Sequence, residues 1–511
     1  MGTKHHSSDP VSDPKKRRKV GFSKVDEGVQ PNDCIKIYMV SRQEEVGSPE
    51  SFPVEPVDLS PFFEEDGKIY GYQGLKITIW ISSISFQAYA DISFESTSDA
   101  GKGVTDLKTS LQNIFADNLV ETKDDFLKTF STESNYIKSM ISDGKPIQQN
   151  TPSDLAVIRV EGTSMGLLYC RLVPLVLLLV DGSNPIDVTD PDWEMYLLLE
   201  KKPDESQKLV GFAALYRFFH YPDSQRLRLG QILVLPPYQR KGYGGHLLET
   251  LTNMAVSENI HDLSIEEPLD SLQHIRSCID IPRLLALQAI QPSLDSTVLR
   301  LKQQNLEKQT ENAKFTPPGS AIEEARKALK MNRKQFVQCW EILVYVKLGG
   351  EERYMGNFRK VVMDRIRGDV IGRDNGGAGK RVIEVPTEYD EDASFVMFRT
   401  GGGDEGKEVE MEEQDLSKQE EQLQKLVDER IQAIKLVANK ASFEDKKSKL
   451  IRAFVQWRKI RNQVLWEHCS FYGGGADEIL KEQEAEAPRS IPCALMVNEN
   501  ILLILHNIYL S

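Results

Sequence analysis

Residues 227–251, LRLGQILVLPPYQRKGYGGHLLETL, leave the backbone few choices. The apolar run 227–235 reads as a strand, and Pro236 and Pro237 end it because neither can donate a ladder hydrogen bond. The leucine-rich stretch 243–256 reads as a helix. Between the two, Gln239, Arg240, Lys241, Gly242, Tyr243, Gly244 and Gly245 bring successive backbone N–H groups to the helix start. A helix start of this kind carries free donors and partial positive charge, which suit a pyrophosphate. Gly242 and Gly244 keep Cβ atoms out of the approach, while Arg240 and Lys241 set full positive charges at its rim. The spacing is neither that of a GxxxxGK[ST] phosphate loop nor that of a GxGxxG dinucleotide loop.

The segment sits inside a longer pattern. Apolar stretches at 172–180, 193–200 and 209–219 precede it, and a short strand at 261–265 and a helix at 269–279 follow. Residues 151–285 therefore read as a mixed sheet carrying helices. Within them LVPLVLLLV (172–180) is expected as a buried strand or core segment, too short to cross a bilayer. Upstream, alternation in 75–94 and a helical pattern at 124–141 predict a small α/β domain with antiparallel strands over 23–150, preceded by a disordered basic arm, 1–22. Downstream, helical periodicity in 318–348, with Met331-Asn332 as turn and N-cap, predicts a helical domain over 286–367. A mobile glycine- and acid-rich insert at 368–415, charged helices over 416–462 and a tail of undefined role at 463–511 complete the chain. At 511 residues it exceeds what one core organises, and the fold class expected is α+β.

The formal net charge is −14, from 63 basic and 77 acidic residues. That balance argues against unspecific nucleic-acid binding, which needs Lys and Arg to displace counterions, and suits a basic partner. Six scattered cysteines without a CxxC pair indicate neither a disulfide framework nor a metal site, so no metal is expected. Lys15, Lys16, Arg17, Arg18 and Lys19 follow a proline in a polar arm and read as a nuclear-import signal, implying both nucleus and cytoplasm.

A second chemical clue is DLSIEEPLDSLQHIRSCID (262–280). Glu266 and Glu267 close a short strand, and Pro268 opens a helix at a position that tolerates it. Neighbouring strand residues point to opposite faces, so at most one of the two carboxylates faces a given cleft. A carboxylate there can take a proton from an amine, which a free lysine requires because its pKa is ~10.4.

Gln239-Arg-Lys-Gly242-Tyr-Gly244 matches Q/R-x-x-G-x-G/A, the acyl-CoA signature of the Gcn5-related N-acetyltransferase (GNAT) superfamily. Together with DGSNPIDVTDPDWEMYLL and IEEPLDSLQHIR, it makes the chain resemble the type B histone acetyltransferase catalytic subunits, of plant type, over roughly residues 23–440. The resemblance implies an N-terminal α/β domain, a central GNAT-like mixed sheet with helices, and a C-terminal helical domain. It implies acetyl-CoA as co-substrate, lysines in the N-terminal tail of newly made histone H4 as acceptors, and a WD40 histone chaperone as partner, with no direct DNA binding and no membrane.

Carried over by motif, the backbone of Ile232, Leu233 and Val234 meets the cofactor arm, and Gln239 through Gly245 form the pyrophosphate loop. Glu266 falls on the general base, Glu267 stands where the family usually has Asp, and Asp181 falls on a further supporting acid. Leu269 occupies a position where some members contact the cofactor through Asn, so that contact is expected to be absent or replaced. The implied chemistry is direct attack in a ternary complex, with an N–H of Leu233 or Val234 steadying the oxyanion. No cysteine is read as having a histidine partner, and Cys278 reads as a core filler. Two alternatives remain at this level: an acetyltransferase of the same fold acting on another amine, and a chromatin adapter that has lost the chemistry. The intact glycine loop and Glu266 argue against the adapter.

Overall fold

The computed structural model describes residues 27–64, 66–99, 103–147, 154–180, 182, 184–201, 207–303, 315–370 and 420–441. The basic run at 15–19, Asp181, most of the 368–415 insert and the tail lie outside these residues.

The N-terminal sheet consists of Ile35–Val40 (β1), Phe52–Val54 (β2), Lys76–Ser82 (β3), Ala88–Ser93 (β4) and Leu119–Val120 (β5), in the order β2-β1-β3-β4-β5. The alternating stretch 75–94 folds into the antiparallel β3–β4 pair. The antiparallel strands expected here are only part of the sheet: β1–β2 and β3–β4 are antiparallel, whereas β1–β3 and β4–β5 run parallel. Parallel neighbours need a crossover, and residues 94–118 are long enough to supply one that includes the helix Leu107–Phe115 (α1). Asp106 caps α1 by accepting from the N–H groups of Lys108 and Thr109. The single helix expected at 124–141 is two, Lys123–Thr132 (α2) and Tyr136–Met140 (α3).

The second sheet is built from Lys145–Pro146 (β6), Leu155–Val160 (β7), Trp193–Lys201 (β8), Gln207–His220 (β9), Ser224–Val234 (β10) and Leu263–Ile265 (β11). Its order is β11-β10-β9-β8-β7-β6, and every pair is antiparallel except β10–β11. The run 172–180 is not a strand but the end of an 18-residue helix, Gly162–Leu179 (α4). By length and composition α4 could cross a membrane, yet Leu168, Leu172, Leu175, Val176 and Leu178 are all fully buried. They belong to the cluster that joins the N-terminal sheet to one face of the central one through Met195, Leu197, Leu199, Phe212 and Leu233.

The opposite face, through Tyr196, Leu198, Val210, Leu227 and Leu229, packs on Leu247, Leu248, Leu251 and Met254 of the helix Tyr243–Ser257 (α5). β8 is thus buried on both sides over 195–199, which is why MYLLL is continuously apolar.

Asp270–Ala286 (α6) follows β11 and leads into the helices Gln291–Gln303 (α7), Gly319–Leu329 (α8), Arg333–Leu348 (α9), Glu352–Val370 (α10) and 420–441 (α11). Asn332 caps α9 by accepting from Gln335 N–H at 2.8 Å, as the Met331-Asn332 turn implies.

A buried polar chain ties α9 to the end of the central sheet. Gln273 donates to Gln335 (2.8 Å), Gln335 donates to Asp280 (2.8 Å), Arg276 lies 3.8 Å from Asp280, and Arg276 donates to the Leu263 carbonyl in β11 (2.9 Å). Burial lowers the Arg276 pKa and raises that of Asp280, and each charge opposes that shift in the other. Arg276→Met, which strands a buried carboxylate and a strand carbonyl, is expected to cost about 3–5 kcal/mol in urea unfolding of the full chain. The double change Arg276→Met with Asp280→Leu should recover much of that loss; an equal loss in both would contradict the network.

Candidate active site

β10 and β11 pair only over Leu227–Leu229 and Leu263–Ile265. The last rung is the Glu266 N–H donating to the Leu229 carbonyl at 3.0 Å. Beyond it Glu267 adopts a left-handed φ of 35°, and Pro268 directs the chain into α6. β10 instead continues to Val234, so from Gly230 onward no strand among the described residues pairs with this edge. The result is a wedge with a row of peptide groups along one wall.

A bulge decides which groups those are. Leu229 pairs with Leu215 and Gln231 with Ala214, leaving Gly230 as the extra residue. Leu229 turns its carbonyl to β11, whereas Leu235 donates to Val210 on the β9 side at 2.9 Å. Residues alternate between these directions, so Ile232 and Val234 face the wedge and Leu233 faces β9. Of the three residues expected to meet the cofactor arm through their backbones, Leu233 therefore does not. The Val234 carbonyl is taken by the Gln239 carboxamide at 2.9 Å, which leaves the Val234 N–H and both groups of Ile232 for a ligand. Gln239 thus braces the strand end.

After the Pro236–Tyr238 turn, Arg240 (φ 62°) and Gly242 (φ 86°) are both left-handed and bring the chain into α5. The His246 N–H returns to the Gly242 carbonyl at 3.0 Å, so by helix geometry Tyr243, Gly244 and Gly245 present the free donors of the first turn. A Cβ on Gly244 would lie 3.5 Å from Val234 Cγ2, and one on Gly245 3.7 Å from Ile275 Cγ2. Both are ordinary contacts, so the fold does not exclude a side chain here; glycine keeps the helix start and the neighbouring wedge wall open. Lys241 folds back, with Nζ 3.0 Å from the Pro237 carbonyl and 5.6 Å from the Tyr238 ring centre, while Arg240 stays exposed.

Glu266 stands at the apex of the wedge with its side chain 53% exposed. A Cβ on Gly230 would lie 3.7 Å from Glu266 Oε2 and 3.0 Å from Trp193 Cη2, so the carboxylate and the indole meet over the bulge. Trp193 contacts Tyr216 edge-on (5.1 Å), Tyr216 contacts Phe218 (4.5 Å), and Arg228 lies over Phe218 (4.6 Å) with Nη1 4.0 Å from Glu266 Oε1. This aromatic row, absent from the sequence expectations, suits the aliphatic stem of an amine that ends at the carboxylate.

Gln231, at the bulge, donates to the Asn184 carbonyl (2.7 Å) and accepts from Tyr169 Oη (2.8 Å), which itself accepts from the Ile186 N–H (3.0 Å). These bonds pin the loop before β8 to the active strand. Glu267 is exposed, and Leu269 is 56% exposed and gives α6 no side-chain cap. Asp181 lies outside the described residues. One expectation fails outright: Cys278 does have a histidine partner, since its Sγ lies 3.5 Å from His274 Nε2 one helical turn earlier and it is only half-buried.

Filling the wedge beside Val234 with Gly244→Val is expected to raise the KM for an acyl-CoA by about tenfold or more, with the melting temperature of the full chain within a few degrees of wild type. An unchanged KM would reduce the glycine to a turn-forming residue.

Comparison with known proteins agrees with this geometry. Residues 28–181 match the family model described as histone acetyl transferase HAT1 N-terminus, and residues 183–274 match the acetyltransferase (GNAT) family. The chain is 50% identical to the histone acetyltransferase type B catalytic subunit of Arabidopsis thaliana, covering 85% of this chain and 97% of that one. It is 47% identical to the subunit of the same description from Zea mays, covering 86% and 96%. A Dictyostelium discoideum relative of that description is 27% identical, covering 57% and 63%.

Proposed function

The chain belongs to the type B histone acetyltransferase catalytic subunits, and from that premise we propose that it transfers acetyl from acetyl-CoA to lysines in the N-terminal tail of free, newly synthesised histone H4, with Glu266 as general base. The observation that carries this reading is the wedge between β10 and β11, which has donors along one wall, a glycine-opened helix start at one end and a carboxylate beside an aromatic row at the other.

Ile232 and Val234 offer peptide groups to the amides of the extended cofactor arm in the manner of an added strand. The first-turn N–H groups of α5, with Arg240, face the pyrophosphate. The lysine stem passes Trp193 and Tyr216, and Glu266 takes the ammonium proton, so that the nitrogen lone pair is free to attack the thioester carbonyl. A wedge-facing N–H of Ile232 or Val234 donates to the resulting oxyanion; the intermediate collapses with cleavage of the C–S bond, and the departing CoA thiolate takes the remaining extra proton from the nitrogen, leaving the neutral amide and the free thiol.

The acidic balance of the chain, −14, suits a basic histone tail. A WD40 histone chaperone as partner, and residence in both nucleus and cytoplasm directed by Lys15–Lys19, complete the proposal.

The test is transfer of radiolabelled acetyl from acetyl-CoA to free H4, free H3 and nucleosomes. Free H4 is expected to be labelled above the other two, and Glu266→Gln to lower kcat by about 10²–10⁴ with little change in the KM for acetyl-CoA. Cys278→Ala is expected to keep most of the wild-type rate, because direct transfer needs no acyl-cysteine. Labelling of another acceptor in preference to H4 would overturn the substrate reading, and full activity in Glu266→Gln would overturn the base.

A further inference from the structure

The loop 184–192, between α4 and β8, is tied down at both ends by groups from other elements. At its start Gln231 Nε2 donates to the Asn184 carbonyl (2.7 Å), and the Ile186 N–H donates to Tyr169 Oη (3.0 Å). The same Tyr169 hydroxyl donates to Gln231 Oε1 (2.8 Å), so the two ties form one chain. At the other end Tyr216 Oη donates to the Asp190 carboxylate (2.9 Å), and the Arg217 N–H donates to the Asp192 carbonyl (3.0 Å). The middle of the loop lies on α4, where a Cβ on Gly166 would come within 3.6 Å of Val188.

Strand register sets this loop beside the chemistry. Residues paired directly across strands share a face, so Trp193, Tyr216 and Arg228 form one row and Met195, Ala214 and Gln231 the next. The bulged Gly230, over which Glu266 and Trp193 meet, falls between the two rows. The loop is therefore bonded to the aromatic row through Asp190 and to the neighbouring row through Asn184. An amine stem that follows the aromatic row to Glu266 has this loop as its other wall.

The Tyr169 hydroxyl is not needed to pack α4. It is 1% exposed on a helix whose neighbouring buried positions are Leu168, Leu172 and Leu175, where a phenyl ring would fill the same space. Burying a hydroxyl is costly unless it is hydrogen-bonded, and both of its bonds serve the loop, one directly and one through Gln231. Burial raises the pKa of the phenol, so it stays protonated and able to donate.

We propose that Tyr169 and Gln231 are positioning residues for the acceptor, holding the loop 184–192 as the second wall of the lysine channel. They act through the loop and not on the reacting atoms. Because Gln231 lies between Gly230 and Ile232, one stretch of β10 sets both the acceptor wall and the edge offered to the cofactor. The assignment rests on the proposed transfer of acetyl to a lysine at Glu266.

The test compares full-length wild type with Tyr169→Phe and with the double variant Tyr169→Phe, Gln231→Met. Steady-state acetyl transfer, acetyl-CoA affinity by calorimetry and melting temperature are measured for each. The acceptor is whichever of free H4 and free H3 the wild type labels faster, so failure of the H4 assignment leaves the comparison intact. Labelling of neither overturns the acceptor reading and this one with it. Tyr169→Phe is expected to raise the acceptor KM by about fivefold or more, the scale of one lost hydrogen bond, with acetyl-CoA affinity within about twofold of wild type. The double variant removes both partners of the Tyr169–Gln231 bond at nearly unchanged volume. Its melting temperature should return toward wild type while its acceptor KM stays raised. A merely structural role predicts instead that the KM recovers with the melting temperature. That recovery, an unchanged acceptor KM in folded Tyr169→Phe, or an equal loss of acetyl-CoA affinity overturns the proposal.

Discussion

One hydrogen bond marks where the active strand is released from its neighbour: Glu266 N–H to the Leu229 carbonyl, the last rung between β10 and β11. Up to that rung the two strands share a sheet; beyond it they separate, and the edge of β10 is left to pair with a ligand. The same residue that closes the ladder carries the carboxylate, which is thereby fixed at the apex of the wedge. The position of β11 is set from the far side by Arg276, which holds the Leu263 carbonyl and is itself held in a buried chain through Asp280 to Gln335 of the helical domain. The C-terminal helices therefore hold β11 in register through buried hydrogen bonds.

The bulge at Gly230 is the second determinant. Without the extra residue, alternation from Leu229 would turn residues 231 and 233 to the wedge; with it, residues 232 and 234 face the wedge, and the Gln231 side chain is left to hold Asn184 and Tyr169. The glycine also allows the Trp193 indole to approach, at a distance where an added Cβ would meet it at 3.0 Å. One residue thus settles which amides face the wedge, where the loop before β8 is anchored and how closely the aromatic wall approaches the strand that leads to Glu266.

Much of this was legible in the sequence because it is local. Two prolines that end a strand, a glycine-rich run before a helix and an acid pair before Pro268 all act within a few residues, and the glycine loop and Glu266 were singled out from them. What was missed depends on register. Trp193, Tyr216 and Arg228 stand side by side only because β8, β9 and β10 pair as they do, and nothing near each residue announces its neighbours. The parity of Leu233 was misjudged for the same reason, since a bulge is a property of a strand pair. The run 172–180 stayed open between a buried strand and a core segment because a helix buried on most sides shows little amphipathic period, and Pro174 interrupts it further. The partnership of Cys278 with His274 could have been found, for a separation of four is one helical turn.

The central claim is that the open edge of β10, through Ile232 and Val234, is the surface on which acetyl-CoA lies. Amide hydrogen exchange of the full chain, read at single-residue resolution with and without acetyl-CoA, tests it most directly. The account predicts that the cofactor slows exchange at Ile232 and Val234 while Leu233, already turned into the sheet, is protected in both states. Equal exchange at Ile232 and Val234 with and without saturating acetyl-CoA would contradict it.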